Sequence, residues 1–486
     1  MNIIINGFHE RSLFPIIQEL VKHFQISLTY LTFSKSRVSL PYTESVFHKV
    51  SDISKGEYYV DWNKITPLDG DIISRMYACE VVVLKMMDRH TISIEPALTY
   101  DDRKRLYLKH LRYWNHVLEK NKFDLFLSSN IPHEVYDYVI YCLCKIKGIP
   151  TLMLYQTCIS DTITVMNDWL THNISIKNEY TRLMKKYSVS NNSQIHLEPR
   201  FLYDLRKNTA SKPNLRFEMK RSNDTPSFLK SVLPLFLKIK GKRIITLLKS
   251  PSLIYQGFIN QITYRSMINK HKVVSQFYYR HMVKPNLNKK YIYFPLHLQP
   301  EASTSPMAGD FVNQVLIAQL IAYVLPKQMY LYIKENPYQD FTKRDVEFYR
   351  ELLAIPQVKL ISIKYDTYKL IDNSVAVATA TGTVGLEALY RGIPVLLFGS
   401  NFYQYANGVY KVTNKNECSE AINNIVKRSS KPSIKNMRIF LKALERTTIE
   451  GYIDLDYKKD TNITDKVNNM NITRQLITEI NRVILK

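Results

Sequence analysis

The feature that most constrains the fold is an alternation of short apolar runs with longer helical stretches. The first series has apolar runs at Asn2–Ile5, Phe123–Ser129 and Thr151–Tyr155, with helical spacing at Leu13–Phe24 and Glu134–Lys147. Strands that alternate with helices are typical of parallel sheets whose crossover helices cover both faces. We therefore expect an α/β fold in the first part of the chain.

The same alternation begins again after residue 290. Apolar runs at Tyr291–Leu296, Met329–Ile333 and Ser374–Ala378 alternate with helical stretches such as Asp310–Leu325 and Thr383–Arg391. A chain of 486 residues is also too long for one ordinary hydrophobic core. We therefore predict two Rossmann-like domains that face a cleft, where ligands of such folds usually bind.

A strongly basic segment separates the two series. From Arg206 to Lys290, 19 Lys and Arg residues stand against two acidic ones, in a chain of net charge +24. Within it, Ser227–Lys249 combines an apolar face with bordering Lys and Arg, and Pro234 and Gly241 divide it into two short pieces. This pattern is typical of helices in a membrane interface, so we expect an amphipathic helical insertion that binds an anionic membrane surface. Packing on the protein and nucleic-acid binding are the alternatives.

The predicted parts are an N-terminal domain at residues 1–205, a basic connecting segment at 206–290, a C-terminal domain at 291–450, and a polar tail with a helix at 451–486. Five cysteines without a CxxC pair favour neither a disulfide framework nor a zinc ribbon. The first residues lack the pattern of a signal peptide, and no apolar run is long enough to span a bilayer.

The densest polar cluster directly follows the run Tyr291–Leu296. Its candidate ligand-binding residues are His297, Gln299, Glu301, Ser303, Thr304 and Ser305. Hydroxyls and backbone amides at the start of a helix suit an anion such as a phosphate, and a histidine can donate a hydrogen bond to a phosphoryl oxygen. The alternative is a structural loop in which Ser and Thr satisfy local backbone groups.

Two further clusters follow the next strands of this domain. The first contains Lys334 and Asn336, and the second contains Thr381, Gly382, Thr383 and Glu387. A lysine at a strand end can bind phosphate, and Thr-Gly-Thr at a strand-to-helix turn presents hydroxyl and N–H groups to an anion. A solvated turn and an ordinary helix cap are the alternatives. Because all three clusters follow strands of one domain, we expect them to converge.

In the first domain, loops after two strands supply carboxylates. The candidate catalytic residues are His133 and Glu134 after Phe123–Ser129, and Asp161 after Thr151–Tyr155. A positioned carboxylate can deprotonate an acceptor hydroxyl or attack an anomeric carbon. The alternative for Glu134 is an acid in the first turn of a helix, favoured there by the helix dipole.

These motifs resemble a known family. The stretches FPLHLQPEASTSP, LYIKENP and TATGTVGLEALYRGIPVLLFG, with NIPHEVYDYVIYCLCKIKGIPTLMLYQT upstream, are similar to GT-B glycosyltransferases of capsular polysaccharide and O-antigen biosynthesis. The enzymes that these stretches resemble include the bacterial β-Kdo transferase group. The resemblance covers roughly residues 120–170 and 290–400, and it is marked by the order and spacing of the three later motifs.

The resemblance implies a nucleotide-sugar donor in the second domain and a glycan or glycolipid acceptor in the first. Enzymes of this type that use CMP-sugars often carry Lys-x-His-Pro at a strand end. Lys334 and Pro337 match that pattern, whereas Asn336 stands in place of the histidine. A CMP-sugar such as CMP-Kdo is the favoured donor, with UDP- and GDP-sugars left open.

The resemblance also implies that neither a metal nor a cofactor is needed. We expect a cytoplasmic protein that lies peripherally on the inner face of the cytoplasmic membrane and binds no nucleic acid. Two alternatives are a GT-B enzyme that transfers no sugar, such as a nucleotide-sugar epimerase, and a non-catalytic protein of capsule assembly or nucleic-acid binding.

Overall fold

The computed structural model describes residues 1–8, 12–33, 40, 43–89, 98–189, 194–210, 251–428, 431–459 and 461–484. Two sheets, each covered by helices, form two α/β units. The prediction of two Rossmann-like domains is confirmed. The amphipathic pieces predicted within Ser227–Lys249 lie outside the described residues.

The first unit is built on a seven-stranded sheet in the order β13-β6-β5-β4-β1-β2-β3. Its first six strands are β1 (Asn2–Asn6), β2 (Leu28–Phe33), β3 (Glu44–Lys49), β4 (Leu125–Ser128), β5 (Thr151–Gln156) and β6 (Thr162–Met166). Its helices are α1 (Phe14–Phe24), α2 (Val50–Ile53), α3 (Gly70–Arg75), α4 (Tyr77–Met86), α5 (Tyr100–Lys120) and α6 (Val135–Ile146). The next two helices, α7 (Ile174–Lys186) and α8 (Pro199–Thr209), pack into the core of the second unit. β1 to β5 run parallel, whereas β6 pairs antiparallel with β5.

The sequence explains why β1 lies in the middle of this sheet. Ile3, Ile4 and Ile5 form a continuous apolar run, and all three are fully buried because helices cover both faces. The register places Asn6 opposite Ser128, so both chains leave the sheet at the same edge. That carboxyl edge is where the candidate residues of the first unit begin.

The second unit is built on a parallel six-stranded sheet in the order β12-β11-β10-β7-β8-β9. Its strands are β7 (Tyr291–Pro295), β8 (Tyr330–Lys334), β9 (Val358–Ile361), β10 (Ala376–Thr379), β11 (Val395–Leu397) and β12 (Val409–Lys411). Its helices are α9 (Pro251–His281), α10 (Gln314–Val324), α11 (Val346–Leu353), α12 (Thr367–Asp372), α13 (Thr383–Tyr390), α14 (Lys415–Arg428) and α15 (Ile434–Thr447). The central neighbours β10, β7 and β8 bring the three predicted clusters to one edge.

After α15 the chain returns to the first unit. β13 (Ile449–Glu450) pairs antiparallel with β6, and a short helix, α16 (Leu455–Lys458), leads to α17 (Asp465–Ile484). α17 packs on α1 through Ile472, Leu476 and Ile480, which are fully buried. The residues expected as a polar tail therefore complete the core of the first unit.

The helix α9 is the longest described element of the basic segment. It packs on the second unit through Val274 and Tyr278, and the chain after it forms a bridge between Val283 and Ile361 at the sheet edge. Over the described ranges, no helix combines the length and apolar character that crossing a membrane requires.

Candidate active site

His297 is the organising residue at the carboxyl edge of the second sheet. It follows β7, and the backbone N–H groups of Ala380 and Thr381 both donate to its Nε2, over 3.0 and 3.2 Å. The Thr379 hydroxyl lies 3.0 Å from the same nitrogen. His297 thus fixes the turn between β10 and α13.

These contacts determine the state of the imidazole ring. A nitrogen that accepts two N–H groups carries a lone pair, so the proton of the neutral ring resides on Nδ1. Burial, with a smaller contribution from Arg344, lowers the pKa of His297 to about 4. The ring is therefore neutral at pH 7, and its Nε2 supports the turn.

The turn itself is held in one shape by its own side chains. The backbone N–H of Gly382 donates to the Thr379 hydroxyl over 2.9 Å, and the Thr381 hydroxyl donates to the carbonyl of Ser303 over 2.6 Å. A Cβ on Gly382 would lie 2.9 Å from both His297 Cε1 and Thr379 Oγ1, which explains the glycine there. Thr383 then begins α13, whose N-terminal end favours negative charge at this edge.

Arg344 connects the polar cluster after β7 with the end of β8. Its guanidinium donates to the carbonyl of His297 over 2.9 Å and to the side-chain oxygen of Gln299. Its Nε also lies 3.1 Å from the carboxylate of Glu335, and both side chains of this ion pair are buried. The Tyr349 hydroxyl donates to the same carboxylate over 2.6 Å.

Lys334 ends β8 beside these groups. Its ammonium donates to the carbonyl of Tyr365 over 2.9 Å and to the hydroxyl of Thr367 over 2.6 Å. An ammonium has three N–H donors, so one remains for a ligand. Burial lowers the pKa of Lys334 to about 8, while Asp366 acts in the opposite direction. Lys334 therefore remains mostly charged at pH 7.

Glu387 lies one turn into α13, with its side chain 1% exposed. The Thr383 hydroxyl donates to its Oε1 over 3.4 Å, so Thr383 and Glu387 form one polar pair on the face of the helix. Asn336 is only half-buried, and its side-chain oxygen accepts from the backbone N–H of Tyr338 over 2.9 Å.

The remaining candidates lie in one loop. Glu301 is exposed, and its carboxylate accepts from the Ser303 hydroxyl over 3.0 Å. The Thr304 hydroxyl donates to the carbonyl of Glu301 over 2.9 Å, as the structural alternative for this loop predicts. The Ser305 hydroxyl lies 3.4 Å from the carbonyl of Val82 in the first unit. The loop therefore reaches from the turn between β10 and α13 to the first unit.

The first unit has a buried polar cluster at its own carboxyl edge. The side-chain amide of Asn6, at the end of β1, donates to Ser128 and to Asp137, over 3.1 and 3.2 Å. The Thr32 hydroxyl, at the end of β2, donates to Asn6 over 2.7 Å. Asp137 is 2% exposed, and burial, with the nearby Glu134, raises its pKa well above the usual range.

His133 and Glu134 lie beside this cluster. The backbone N–H of His133 lies 3.3 Å from Asp137, and the His133 Nδ1 lies 2.6 Å from the carbonyl of Ile131. Burial lowers the pKa of His133. Glu134 precedes the first residue of α6, and its side chain is 42% exposed. Of the predicted catalytic carboxylates, Glu134 is the one placed beside the second unit.

Asp161 lies in the turn between β5 and β6, with a positive φ of 52°. Its backbone carbonyl accepts from Arg200 over 2.6 Å and from the N–H of Gly451 over 3.1 Å. These contacts tie the turn to α8 and to β13, on the far side of β5 from His133 and Glu134. The structure therefore does not bring Asp161 together with the other two candidates.

Arg89 joins the two edges. It ends a 3₁₀ turn after α4, and its Nη2 donates to the carbonyl of His133 in the first unit and, over 2.9 Å, to that of Ser305 in the second. Met307 also packs into the core of the first unit. The motifs in the sequence did not indicate Arg89, Arg344, Asn6 or Thr32. Only Asn6 had a signal, since it directly follows an apolar strand.

Among the described residues, no group of three or more His, Cys, Asp or Glu side chains is arranged to hold a metal ion. Lys334 and the start of α13 instead supply positive charge and N–H donors at the edge. This donor set suits an anionic group such as the phosphate of a nucleotide.

Residues 264–451 match the family model described as capsule polysaccharide biosynthesis protein. This match covers the second unit and confirms the resemblance that its three motifs predict. No curated protein matches the sequence.

The chain is also similar to several solved structures, all of them distant. One is the beta Kdo 2,7 transferase KpsC of Thermosulfurimonas dismutans, with 10% identity, a TM-score of 0.34, and coverage of 98% of this chain and 99% of that one. Another is a UDP-GlcNAc 2-epimerase from Methanocaldococcus jannaschii, with 11% identity, a TM-score of 0.25, and coverage of 92% and 98%.

Proposed function

We propose that this protein, whose second unit matches the capsule polysaccharide biosynthesis family, is a glycosyltransferase of the GT-B type. It moves a sugar from a nucleotide-sugar donor, held at the edge of the second unit, to a glycan or glycolipid acceptor at the edge of the first. The observation that carries this proposal is the position of His297, Lys334 and the turn around Thr381 at one edge, which Arg89 connects to the loop that carries Glu134.

The donor site is assigned by chemistry. Lys334 and the N–H groups at the start of α13 bind the donor phosphate, and the buried Glu387 accepts hydrogen bonds from the ribose hydroxyls. His297 keeps the turn in the binding shape. The phosphate is neutralised by these groups without a metal. A CMP-sugar such as CMP-Kdo is the favoured donor, although Asn336 departs from the Lys-x-His-Pro pattern.

The acceptor-side chemistry is assigned to Glu134. A half-exposed carboxylate beside the cleft can take the proton from an acceptor hydroxyl in an inverting reaction, or attack the anomeric carbon in a retaining one. His133 lies next to it, with its Nε2 4.0 Å from the Glu134 carboxylate. Asp161 is the weaker candidate because its turn is tied to α8 and β13.

The test is sugar transfer to a short glycan acceptor from CMP-, UDP- and GDP-sugars. We expect one donor class to be used, and we expect Glu387→Gln and Lys334→Met each to weaken nucleotide binding about 10-fold or more, since each removes a charged hydrogen bond. Lys327→Met is the matched control, because Lys327 is exposed and precedes β8 at the opposite end of the strand. Unchanged donor binding in both site variants would reject the assigned site.

We also propose that the basic segment docks the enzyme on the inner face of the cytoplasmic membrane, where lipid-linked glycans are made. Ser227–Lys249 lies outside the described residues, but the stretch Arg265–Lys290 supports docking because it carries seven Lys and Arg residues and no acidic residue. Exposed apolar side chains lie among these charges: Ile268, Val273, Tyr279, Met282 and Val283. This composition suits an anionic lipid surface.

Flotation with vesicles tests the docking. The protein should float with vesicles that contain anionic lipid and remain behind with neutral ones, and binding should weaken as salt is raised. Lys270→Glu combined with Lys272→Glu should reduce binding, since each basic residue near such a surface contributes about 1 kcal/mol. Equal flotation with neutral vesicles would contradict an electrostatic contact.

A further inference from the structure

Arg89 contacts both units of the protein at once. One nitrogen of its guanidinium, Nη2, donates to the carbonyl of His133 and to that of Ser305. These residues are 44 and 216 positions away along the chain, so Arg89 is a tertiary link between two loops. The first loop carries Glu134, and the second carries the polar cluster after β7.

The second loop is fastened at its other end to the donor turn. The Thr381 hydroxyl donates to the carbonyl of Ser303, two residues before the carbonyl that Arg89 contacts. Beyond Ser305, the N–H of Ser400 donates to the carbonyl of Met307 over 3.0 Å. A continuous series of contacts therefore runs from Thr381 through Ser303 and Ser305 to Arg89.

Acidic groups surround Arg89 on both sides of the junction. Burial lowers the pKa of Arg89, whereas the nearby Glu134, Asp137 and Glu301 raise it. Two of these carboxyl groups belong to the first unit and one belongs to the second. The guanidinium therefore offsets the negative charges of Glu134 and Glu301, which would otherwise repel each other across the cleft.

We propose that Arg89 is a positioning residue that holds the His133–Glu134 loop in register with the donor turn. This inference rests on the proposed function and deepens it. It assigns to one side chain the task of aligning the loop that carries Glu134 with the bound nucleotide-sugar donor. Arg89 acts through the two carbonyls that it contacts. Its planar fork fixes the direction of both hydrogen bonds, which an ammonium on a flexible stem does less well.

The experiment compares the variants Arg89→Gln and Arg89→Lys with the wild-type protein. We expect kcat for sugar transfer to fall about 100-fold in Arg89→Gln, the loss that a misplacement of about 1 Å can cause. Nucleotide affinity should change by less than about 3-fold, because donor contacts remain intact, and Arg89→Lys should lose less activity. Donor hydrolysis should rise relative to transfer, since water replaces an acceptor that is no longer aligned.

Arg105→Gln is the matched control. Arg105 is exposed on α5 and pairs with Asp102, so its loss should leave both transfer and the ratio of hydrolysis to transfer unchanged. Wild-type kcat in Arg89→Gln, or an equal loss of nucleotide affinity and kcat, would overturn the inference. Wild-type kcat would show that Arg89 is not needed for alignment. An equal loss of nucleotide affinity and kcat would show that Arg89 binds the donor or has a purely structural role.

Hydrogen exchange separates this inference from the proposed function. Adding CMP, UDP or GDP alone should slow amide exchange in residues 131–137 of the wild type, and this effect should be lost in Arg89→Gln. If Arg89→Gln does not fold, Arg89→Lys takes its place in this measurement. In Arg89→Lys we expect the slowing of exchange by the nucleotide to be partly lost. Slowed exchange that persists in the variants overturns the coupling. Failure of the wild type to transfer any sugar overturns the proposed function alone.

Discussion

The carboxyl edges of the two sheets are built in different ways. In the second unit, the groups proposed to bind phosphate are connected through His297 and Arg344, so the edge has its shape before a ligand arrives. In the first unit, a buried cluster around Asn6 and Asp137 lies beneath the candidate carboxylate, whereas Glu134 itself is half-exposed. With the sites assigned as proposed, donor binding depends on preorganised backbone, whereas acceptor chemistry depends on one loop placed by Arg89.

Among the predicted changes, substitution of Arg344 has the largest effect on the stability of the donor edge. Arg344→Met leaves the buried Glu335 carboxylate without its partner, so we expect the free energy of unfolding to fall by about 3–5 kcal/mol. Urea unfolding of the variant measures this loss. Nucleotide affinity should fall as well, because the His297 and Gln299 contacts are lost with the same side chain.

Arg350→Met is the control for that change. Arg350 pairs with Glu347 on the surface of α11, and exposed pairs of this kind contribute about 1 kcal/mol or less. The double variant Glu335→Gln with Arg344→Met should recover part of the stability, since it removes the uncompensated charge. A loss below about 1 kcal/mol in Arg344→Met would mean that the buried pair does not support the donor edge.

Glu134→Gln tests the other edge, with an opposite pattern. We expect kcat for transfer to fall at least about 100-fold, as is typical when a general base is removed. Stability should change by about 0.5 kcal/mol or less because the side chain is near the surface. Asp161→Asn is the comparison, and it should keep most of the transfer activity. A larger loss in Asp161→Asn than in Glu134→Gln would move the chemistry to the turn after β5.

The two edges also differ in how far the sequence predicts them. The second edge could be predicted because each of its clusters directly follows a buried apolar strand, and strand ends of a parallel sheet meet. Lys334, Thr381 and Glu387 all lie where that rule places them. The contacts around them could not be predicted. Arg344, just before α11, donates to His297, just after β7, and these residues are 47 positions apart in the sequence. Only the packing of the folded chain brings them together.

For the first edge, the same rule proposes Asp161 as readily as Glu134. The rule contains no information on strand pairing. It therefore does not predict that β6 pairs antiparallel with β5, or that β13, near the C-terminus, pairs with β6. Those pairings draw the Asp161 turn toward α8 and β13. The apolar spacing of Ile472, Leu476 and Ile480 indicates a buried helix face, but nothing in it shows that α17 packs on α1.

The smallest change that we predict for the donor edge is the change in nucleotide affinity with pH. Burial lowers the pKa of Lys334 to about 8, so the fraction that carries a charge falls between pH 7 and pH 9. If the ammonium binds the phosphate, the Kd for the nucleotide should rise up to about 10-fold over that interval. Isothermal titration calorimetry at fixed ionic strength measures the change.

Unfolding does not explain such a loss, because the sign of the stability effect is opposite. The pKa of Lys334 is lower in the folded protein than its usual 10.5, so the unfolded chain holds more protons between pH 8 and 10.5. The contribution of Lys334 to the free energy of unfolding therefore rises with pH in that window. Burial also lowers the pKa of Lys411 to about 8, but this side chain donates to Ser400 over 2.9 Å. Lys334→Met separates the two lysines: its Kd should be higher at pH 7 and nearly constant up to pH 9, and a wild-type slope in this variant would assign the titration to another group.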